Sequence, residues 1–296
     1  MIAIDWGTTH LRAYRLNADG SIQSAKASPT GIMSIAGSDF ETSLSEILAD
    51  WNEAADREIL MSGMVGSRQG WIEVPYVPCP AGLSDLAAGL RPAPMGGGRR
   101  VLICPGLVCR DRNGVPDVLR GEEVQIFGAL AISTRSTATI CLPGTHSKHA
   151  LVDDNTVTGF TTHMTGEVFA VLREHSILGR LMAPRRTDLD AFDDGVRRAR
   201  QQGGLLHHIF AVRTRTLMNE LGGASLADYL SGILIGHELG SVDLSGPVLV
   251  VGAPELGALY QRALGHAGIE SELIAGDVAT VRGLHAVAKL RGHEPK

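Results

Sequence analysis

The stretch that decides the fold is IDWGTTHLR, residues 4–12, near the start of the chain. Its turn contains Gly7, and Asp19-Gly20 shortly afterwards is a typical hairpin turn. The apolar segments around these turns predict three short strands: Ile2–Ile4, Leu11–Leu16 and Ser21–Ala25. We therefore expect a β-meander at the start of the chain, with the carboxylate of Asp5 at the end of its first strand.

The same outline returns about half a chain length later, around the turn PGTHSK at residues 143–148. Three strands are predicted there: Thr139–Leu142, His149–Val152 and Thr156–Phe160. A repeated strand-turn-strand unit in a chain of 296 residues predicts two similar lobes. We place the first lobe at residues 1–132, with a last helix at 278–292 returning to it, and the second at residues 133–277.

Helical spacing follows each meander, so the fold class is mixed α/β. Further elements are predicted at these positions: helices around Phe40–Trp51, Val124–Ile132, Val168–Leu172, Tyr229–Leu239 and Pro254–Ala267, and a buried strand at Val248–Val251. Residues 91–100, rich in Pro and Gly, are predicted to form a loop. Residues 184–204, dense in Arg and Asp, are expected to form a solvated helix with its flanks.

Composition excludes several classes of protein. The chain is 44% apolar and 20% charged with a net charge of −5, and its basic residues are scattered, so no nucleic-acid partner is expected. Its four cysteines form no Cys-x-x-Cys pair, which predicts reduced thiols and no zinc site. The start lacks a basic leader, and the apolar runs are only of strand length, so we expect a cytoplasmic protein with no membrane partner.

The two glycine turns are suited to phosphate. Gly7 and Gly144 have no Cβ, so the backbone can approach an anion and its N–H groups can donate to phosphoryl oxygens. Hydroxyl groups stand beside both turns: Thr8, Thr9, Thr145 and Ser147. Asp5 could hold Mg²⁺ or could simply shape its turn. The motifs of P-loop kinases, Rossmann dehydrogenases, serine hydrolases and zincins are all missing from the sequence.

Six segments, in order along the chain, resemble one enzyme family. They are Asp5–Thr9, Gly63–Trp71, Arg120–Glu123, Leu142–Lys148, Met164–Glu167 and Tyr229–Gly232. The resemblance is to the 2-dehydro-3-deoxygalactonokinases, and the first segment resembles the phosphate motif of the superfamily of acetate kinase, sugar kinases, actin and heat-shock chaperones. It implies two ribonuclease-H-like lobes, each with a mixed β-sheet flanked by helices, and an active site in a cleft between the substrate-side first lobe and the nucleotide-side second lobe.

The activity that the resemblance implies is an ATP- and Mg²⁺-dependent kinase of galactonate catabolism. Its acceptor would be the terminal hydroxyl of 2-dehydro-3-deoxy-D-galactonate, a small-molecule sugar acid, and its product the 6-phosphate. Alternatives are a kinase for another 2-keto-3-deoxy acid, a phosphohydrolase or ATPase of the same superfamily, and an ATP-driven protein of the actin or chaperone type. The oligomeric state stays open, with a homodimer among the options.

The resemblance also assigns roles to individual residues. Glu122 is the expected catalytic base, with Glu123 in reserve, although acidic residues at a helix start can also act only as caps. Asp5 is the expected metal ligand and catalytic residue, and Lys148 the expected mobile catalytic cation. The nucleotide residues are Gly7, Thr8, Thr9, Gly144, Thr145, His146, Ser147, Gly166, Gly232, Gly252, Ala253 and Glu255. The substrate residues are Arg12, Gly31, Ser62, Arg68, Trp71 and Arg120, of which any arginine could instead be a surface charge.

Overall fold

The computed structural model describes residues 1–35, 39–184, 186–244 and 246–291. The strands are β1 (Ile2–Trp6), β2 (Leu11–Leu16), β3 (Ile22–Ser28), β4 (Glu58–Ser62), β5 (Val77–Pro78), β6 (Ala81–Gly82), β7 (Arg91–Ala93), β8 (Arg100–Ile103), β9 (Leu107–Arg110), β10 (Pro116–Leu119), β11 (Ala138–Leu142), β12 (Ser147–Asp153), β13 (Thr156–His163), β14 (Val248–Gly252) and β15 (Ser271–Ala275). The helices are α1 (Phe40–Ile47), α2 (Leu83–Gly89), α3 (Glu122–Ser133), α4 (Thr165–His175), α5 (Leu189–Ala199), α6 (Leu205–Leu217), α7 (Leu226–Gly240), α8 (Pro254–His266) and α9 (Gly276–Arg291). The predicted mixed α/β class is confirmed.

The chain divides into two compact units. The first contains Met1–Ala138, Ala150–Thr161 and the residues from Ile274 onward, and the second contains Thr139–His149 and Thr162–Leu273. The second unit therefore begins a few residues later than the sequence division at 132/133, and a β-segment after the second turn belongs to the first unit. Residue 292, the last of the predicted final helix, lies outside the described residues.

A six-stranded sheet with the order β3-β2-β1-β4-β8-β7 forms the core of the first unit. Its central strand β1 runs antiparallel to β2 and parallel to β4, and Ile2 and Ile4 on β1 are fully buried. In this register Asp5 lies opposite Arg12 on one side and opposite Ser62 on the other. The sheet therefore brings three predicted site residues to one place, although they are far apart in sequence.

Helix α9 packs closely against α3 in the same unit. A Cβ added to Gly128 would lie 1.8 Å from the carbonyl oxygen of Ala279, and one added to Gly283 would lie 1.8 Å from that of Val124. Only glycine permits this approach of two helix backbones. The contact holds α3, whose first residue is Glu122, in a fixed position.

The second six-stranded sheet has the order β15-β14-β11-β12-β13-β6, and a three-stranded sheet has the order β10-β9-β5. Strands β11 and β14 run parallel, with Thr139 opposite Val248. Both strands are buried and apolar, as expected for parallel strands. Because parallel strands end at the same edge, the turns that follow β11 and β14 are neighbours.

One sequence prediction was wrong and another needs refinement. Residues 91–100 are not a loop throughout, because Arg91–Ala93 forms β7 and Arg100 begins β8. Strand β7 lies at the edge of its sheet, where the missing N–H of Pro92 is tolerated. The helix predicted within residues 184–204 is present as α5, but one face of it is buried, because Phe192 and Val196 pack against α7. Arg185, within that segment, lies outside the described residues.

Candidate active site

Asp5 lies on β1 next to the first glycine turn. Its side chain is about one-fifth exposed, and its Oδ2 accepts a hydrogen bond from Arg12 Nη1 at 3.1 Å. Burial raises the pKa of Asp5, and the Arg12 guanidinium opposes that shift. Beside it, Ser62 is fully buried and its Oγ has no hydrogen-bond partner in the protein. Carboxylate and hydroxyl oxygens are ligands that Mg²⁺ accepts, so this place fits the predicted cation.

Two glycines connect Asp5 to the start of α3. Gly63 has φ +97°, and a Cβ there would lie 3.3 Å from Asp5 Oδ1 and 2.8 Å from the carbonyl oxygen of Trp6. Gly121 has φ +106°, and a Cβ there would lie 3.3 Å from the Cα of Gly63. Both conformations favour glycine. The backbone before α3 therefore lies against Gly63, and Gly63 in turn lies against the end of β1.

The two glutamates at the start of α3 have different surroundings. Glu122 is half-buried, and its Oε2 accepts a hydrogen bond from the backbone N–H of Arg120 at 2.9 Å. Glu123 is fully buried, its Oε2 accepts from the N–H of Gly121 at 2.6 Å, and its Oε1 has no partner. Burial, with the neighbouring charge of Glu122, raises the pKa of Glu123 to about 8. At neutral pH Glu123 is therefore mainly protonated and unable to accept another proton.

This pKa predicts a pH-dependent stability. The folded protein keeps a proton on Glu123 up to about pH 8, whereas the unfolded chain loses it near pH 4.5. The contribution of Glu123 is therefore fully present below that lower pH and is lost as pH rises, at about 1.4 kcal/mol per pH unit. We expect Glu123→Gln to gain a few kcal/mol relative to the wild type between pH 5 and pH 8. Urea unfolding of both proteins across this range tests it, and parallel pH profiles would contradict it.

Arg120 is a buried arginine at the residue before Gly121. Its Nη2 donates to the carbonyl oxygen of Val74 at 2.7 Å, and its guanidinium stacks on Tyr76 at 4.3 Å from the ring centre. Its Nε and Nη1 have no hydrogen-bond partner, and a Cβ on Gly66 would lie 2.9 Å from Nη1. Arg120 is thus a preorganised cation between the Gly63–Trp71 segment and the start of α3.

The remaining predicted residues of the first unit fall into two groups. Gly31 supports the first turn, since its Cβ would lie 2.2 Å from the carbonyl oxygen of Thr8 and Ile32 N donates to Gly7 O at 3.1 Å. Thr8 and Thr9 are exposed on that turn, as a phosphate contact requires. Trp71 and Arg68 differ: Trp71 is partly buried and stacks on Phe40 of the core, and the side chain of Arg68 is 87% exposed near Glu73.

The second turn is held by the start of α4. Glu167 N donates to Thr145 O at 2.9 Å, and the Glu167 carboxylate is hydrogen-bonded to His146 Nε2. A Cβ on Gly166 would lie 2.5 Å from the carbonyl oxygen of Gly144. Gly166 therefore lets the helix approach the turn, and His146 pairs with Glu167 on that helix. Thr145 and Gly144 are left accessible.

The structure changes the interpretation of two residues after this turn. Ser147 is fully buried, and its Oγ lies 2.8 Å from the hydroxyl of Tyr260, so it does not face solvent as a free phosphate donor. Lys148 is only 5% exposed on β12, so its burial does not support the mobility expected of it, and its catalytic role stays a prediction. Side chains alternate along a strand, so Lys148 points to the face opposite Ser147 and His149.

An apolar cavity of about 130 Å³ adjoins the second turn. Its lining includes Gly144, Gly166, Ser231 and Leu256. The predicted segment Gly252–Glu255 forms the link from β14 to α8, and a Cβ on Gly252 would lie 3.5 Å from Pro143 O. The structure therefore brings this segment next to the second turn and to a cavity that the sequence did not reveal.

Gly232 has a different position from the one expected. A Cβ there would lie 2.0 Å from the carbonyl oxygen of Phe192, so Gly232 allows α7 to cross α5 closely. Its neighbour Ser231 is the residue of that segment that lines the cavity. The packing of Gly232 against α5 does not support the predicted nucleotide contact, because a residue's helix neighbour faces a different direction.

The chain is similar in sequence to kinases, enzymes that transfer a phosphoryl group to a hydroxyl. A sequence model described as "DGOK: 2-keto-3-deoxy-galactonokinase" matches residues 5–287. The 2-dehydro-3-deoxygalactonokinase of Escherichia coli (strain K12) is 34% identical over 291 residues, covering 97% of each chain. The chain therefore belongs to the 2-keto-3-deoxy-galactonokinase family, as its six segments predicted.

A protein sequence and a crystal structure from rhizobia are also similar to this chain. A Rhizobium meliloti (strain 1021) protein, provisionally named 2-dehydro-3-deoxygalactonokinase, is 38% identical and covers 97% of this chain and 96% of its own. A crystal structure from Sinorhizobium meliloti with the same provisional name is 36% identical, covers 98% of each chain and has a TM-score of 0.89. The described residues contain no helix with the length and apolar composition to cross a bilayer.

Proposed function

We propose that the chain transfers the γ-phosphoryl group of ATP to the terminal hydroxyl of 2-dehydro-3-deoxy-D-galactonate and releases the 6-phosphate. The family and its named relatives support this reaction. The observation that carries it is the close approach of Gly63 to Asp5 and of Gly121 to Gly63, which supports a strand-end carboxylate near the start of α3. This arrangement suits in-line transfer, because positioning and charge stabilisation supply most of the catalysis of phosphoryl transfer.

The first unit would hold the acceptor. The hydroxyl oxygen of the acid forms a bond to the γ-phosphorus as the bond to ADP breaks, and Glu122 takes the hydroxyl proton. Glu122 suits this task better than Glu123, which is buried and mainly protonated. Arg120 would pair with the carboxylate of the acid through its two unpartnered nitrogens, Nε and Nη1.

Mg²⁺ would be held by Asp5, with the hydroxyl of Ser62 or Thr8 nearby. The family implies this ion, and the one-fifth-exposed carboxylate beside an unpartnered hydroxyl fits it. When bound, the ion would neutralise charge on the phosphates. Arg12 pairs with the same carboxylate and orients it.

The second unit would hold ATP. N–H groups of the turn at Gly144 and Thr145 would donate to its phosphates. The base would enter the cavity beside Gly166, Ser231 and Leu256, whose lining is largely apolar, as nucleotide and small-molecule sites usually are. The segment Gly252–Glu255 would border the ribose.

An assay that couples ADP release to NADH oxidation tests the function. We expect ADP release to depend on added 2-dehydro-3-deoxy-D-galactonate and to proceed more slowly with the gluconate epimer. ADP release without any acid would favour a hydrolase, and equal rates with both epimers would leave the kinase but refute the substrate. Product analysis by mass spectrometry should show one added phosphoryl group.

A further inference from the structure

A chain of buried hydrogen bonds lies behind the second turn. Ser147 Oγ lies 2.8 Å from the hydroxyl of Tyr260, and that hydroxyl donates to Glu238 Oε2 at 2.7 Å. The other carboxylate oxygen, Glu238 Oε1, lies 2.7 Å from His149 Nε2. All four side chains are at most 4% exposed. They belong to β12, α7 and α8, so the chain connects three separate elements.

The direction of these bonds follows from the groups available. Glu238 offers only acceptors when ionised, so Tyr260 and His149 donate to it. Burial and the neighbouring Glu238 raise the pKa of Tyr260, which therefore keeps its hydrogen. Because that hydrogen points to Glu238, the Tyr260 oxygen accepts the hydrogen of Ser147. The His149 hydrogen is assigned to Nε2, since Nδ1 is buried and has no partner.

The direction of these hydrogen bonds makes Ser147 a hydrogen-bond acceptor at the turn. Its only hydrogen points to Tyr260, so its lone pairs face the N–H of Gly144 at 3.5 Å. Ser147 therefore acts as an acceptor that limits the movement of Gly144, and it has no hydrogen left for a phosphate oxygen. The chain of bonds ends at the residue whose backbone we propose to face the phosphates of ATP.

A metal site is the competing explanation for part of this cluster. Cys141, His149 and Glu238 each offer one ligand atom, and these atoms lie within 4.8 Å of one another. Two ligands of a tetrahedral zinc ion, bonded at about 2.0 Å each, would stand about 3.3 Å apart. The distance between His149 Nε2 and Glu238 Oε1 is 2.7 Å, which is that of a hydrogen bond. The geometry therefore favours the hydrogen-bond chain.

We propose that Glu238, Tyr260 and Ser147 form a hydroxyl relay that holds the second glycine turn in the shape that binds the phosphates of the nucleotide. These are positioning residues, because none of them contacts the phosphates in this arrangement. The proposal rests on the proposed function, which assigns the turn to ATP. It adds a task for Tyr260 and Glu238, which sequence reasoning did not single out.

The test compares ADP and adenosine binding by titration calorimetry in Tyr260→Phe and Ser147→Ala. Either change breaks the relay, so we expect ADP to bind about tenfold more weakly, the effect of roughly one hydrogen bond. Adenosine lacks phosphates and should bind both variants as it binds the wild type. In the kinase assay, KM for ATP should rise while KM for the acid stays unchanged.

Tyr229→Phe is the matched control, since it removes another tyrosine hydroxyl from the same unit, one that interacts with Arg215. It should leave ADP affinity unchanged. The double variant Ser147→Ala/Tyr260→Phe should lose no more ADP affinity than either single variant, because both break one relay. Unchanged ADP affinity, or equal losses for ADP and adenosine, would overturn the relay while leaving the kinase intact. If the wild-type protein binds no ADP, the proposed function fails and the relay falls with it.

Discussion

Replacing Asp5 by Asn is expected to lower kcat by about a hundredfold to a thousandfold, in the range found when one charge-stabilising group is removed from an active site. Asn keeps the size of the side chain and can still accept a hydrogen bond from Arg12. It loses the negative charge that a magnesium ion needs. Because Asp5 is desolvated in the wild type, removing its charge should not destabilise the fold.

The measurements are kcat, the dependence of rate on Mg²⁺ concentration, and the urea midpoint. We expect the variant to need more Mg²⁺ for half-maximal rate and to keep the wild-type midpoint. Asp39→Asn is a suitable control, because Asp39 caps α1 and asparagine caps about equally well. Normal turnover in the Asp5 variant would remove Asp5 from the mechanism, and a lowered urea midpoint would indicate a structural role.

Several strands could be predicted from sequence because their signals are local. Leu11–Leu16 matches β2 at both ends, and the strand predicted at Val248–Val251 is one residue shorter than β14. Alternating or continuous apolar residues and nearby turn residues are enough for this. In contrast, β4, the parallel neighbour of β1, went unnoticed, because its pairing with β1 joins segments more than fifty residues apart.

The candidate site shows the same division between local and distant information. Asp5 and the second turn carry recognisable motifs, so the sequence located them. Tyr260 could not be found in this way, since its contact with Ser147 joins positions far apart and a tyrosine on a helix is usually read as core. Gly232 is the reverse case, a residue whose sequence motif is recognisable but whose orientation is not predictable from sequence. It lies in the segment Tyr229–Gly232, and the packing of α5 against α7 decides which side of α7 faces α5.

Glu122 and Glu123 are adjacent in sequence, and only their burial distinguishes them. We expect Glu122→Gln to lower kcat by about a hundredfold to ten-thousandfold, the usual contribution of a general base. The amide can still accept the hydrogen bond from Arg120 N but cannot take a proton. ATP affinity, measured by calorimetry without the acid, should stay at the wild-type value.

Glu123→Gln is the matched comparison, with the same substitution one residue later. At pH 7 the wild-type Glu123 is mainly protonated, so the amide replaces a neutral group by a neutral group of the same shape. We expect its kcat to stay within about threefold of the wild type. The amide keeps the shape of the side chain, and its oxygen can still accept the hydrogen bond from Gly121 N. If Glu123→Gln is the inactive variant and Glu122→Gln the active one, the proton must pass to the buried carboxylate, and the raised pKa of Glu123 would then describe a base tuned to neutral pH.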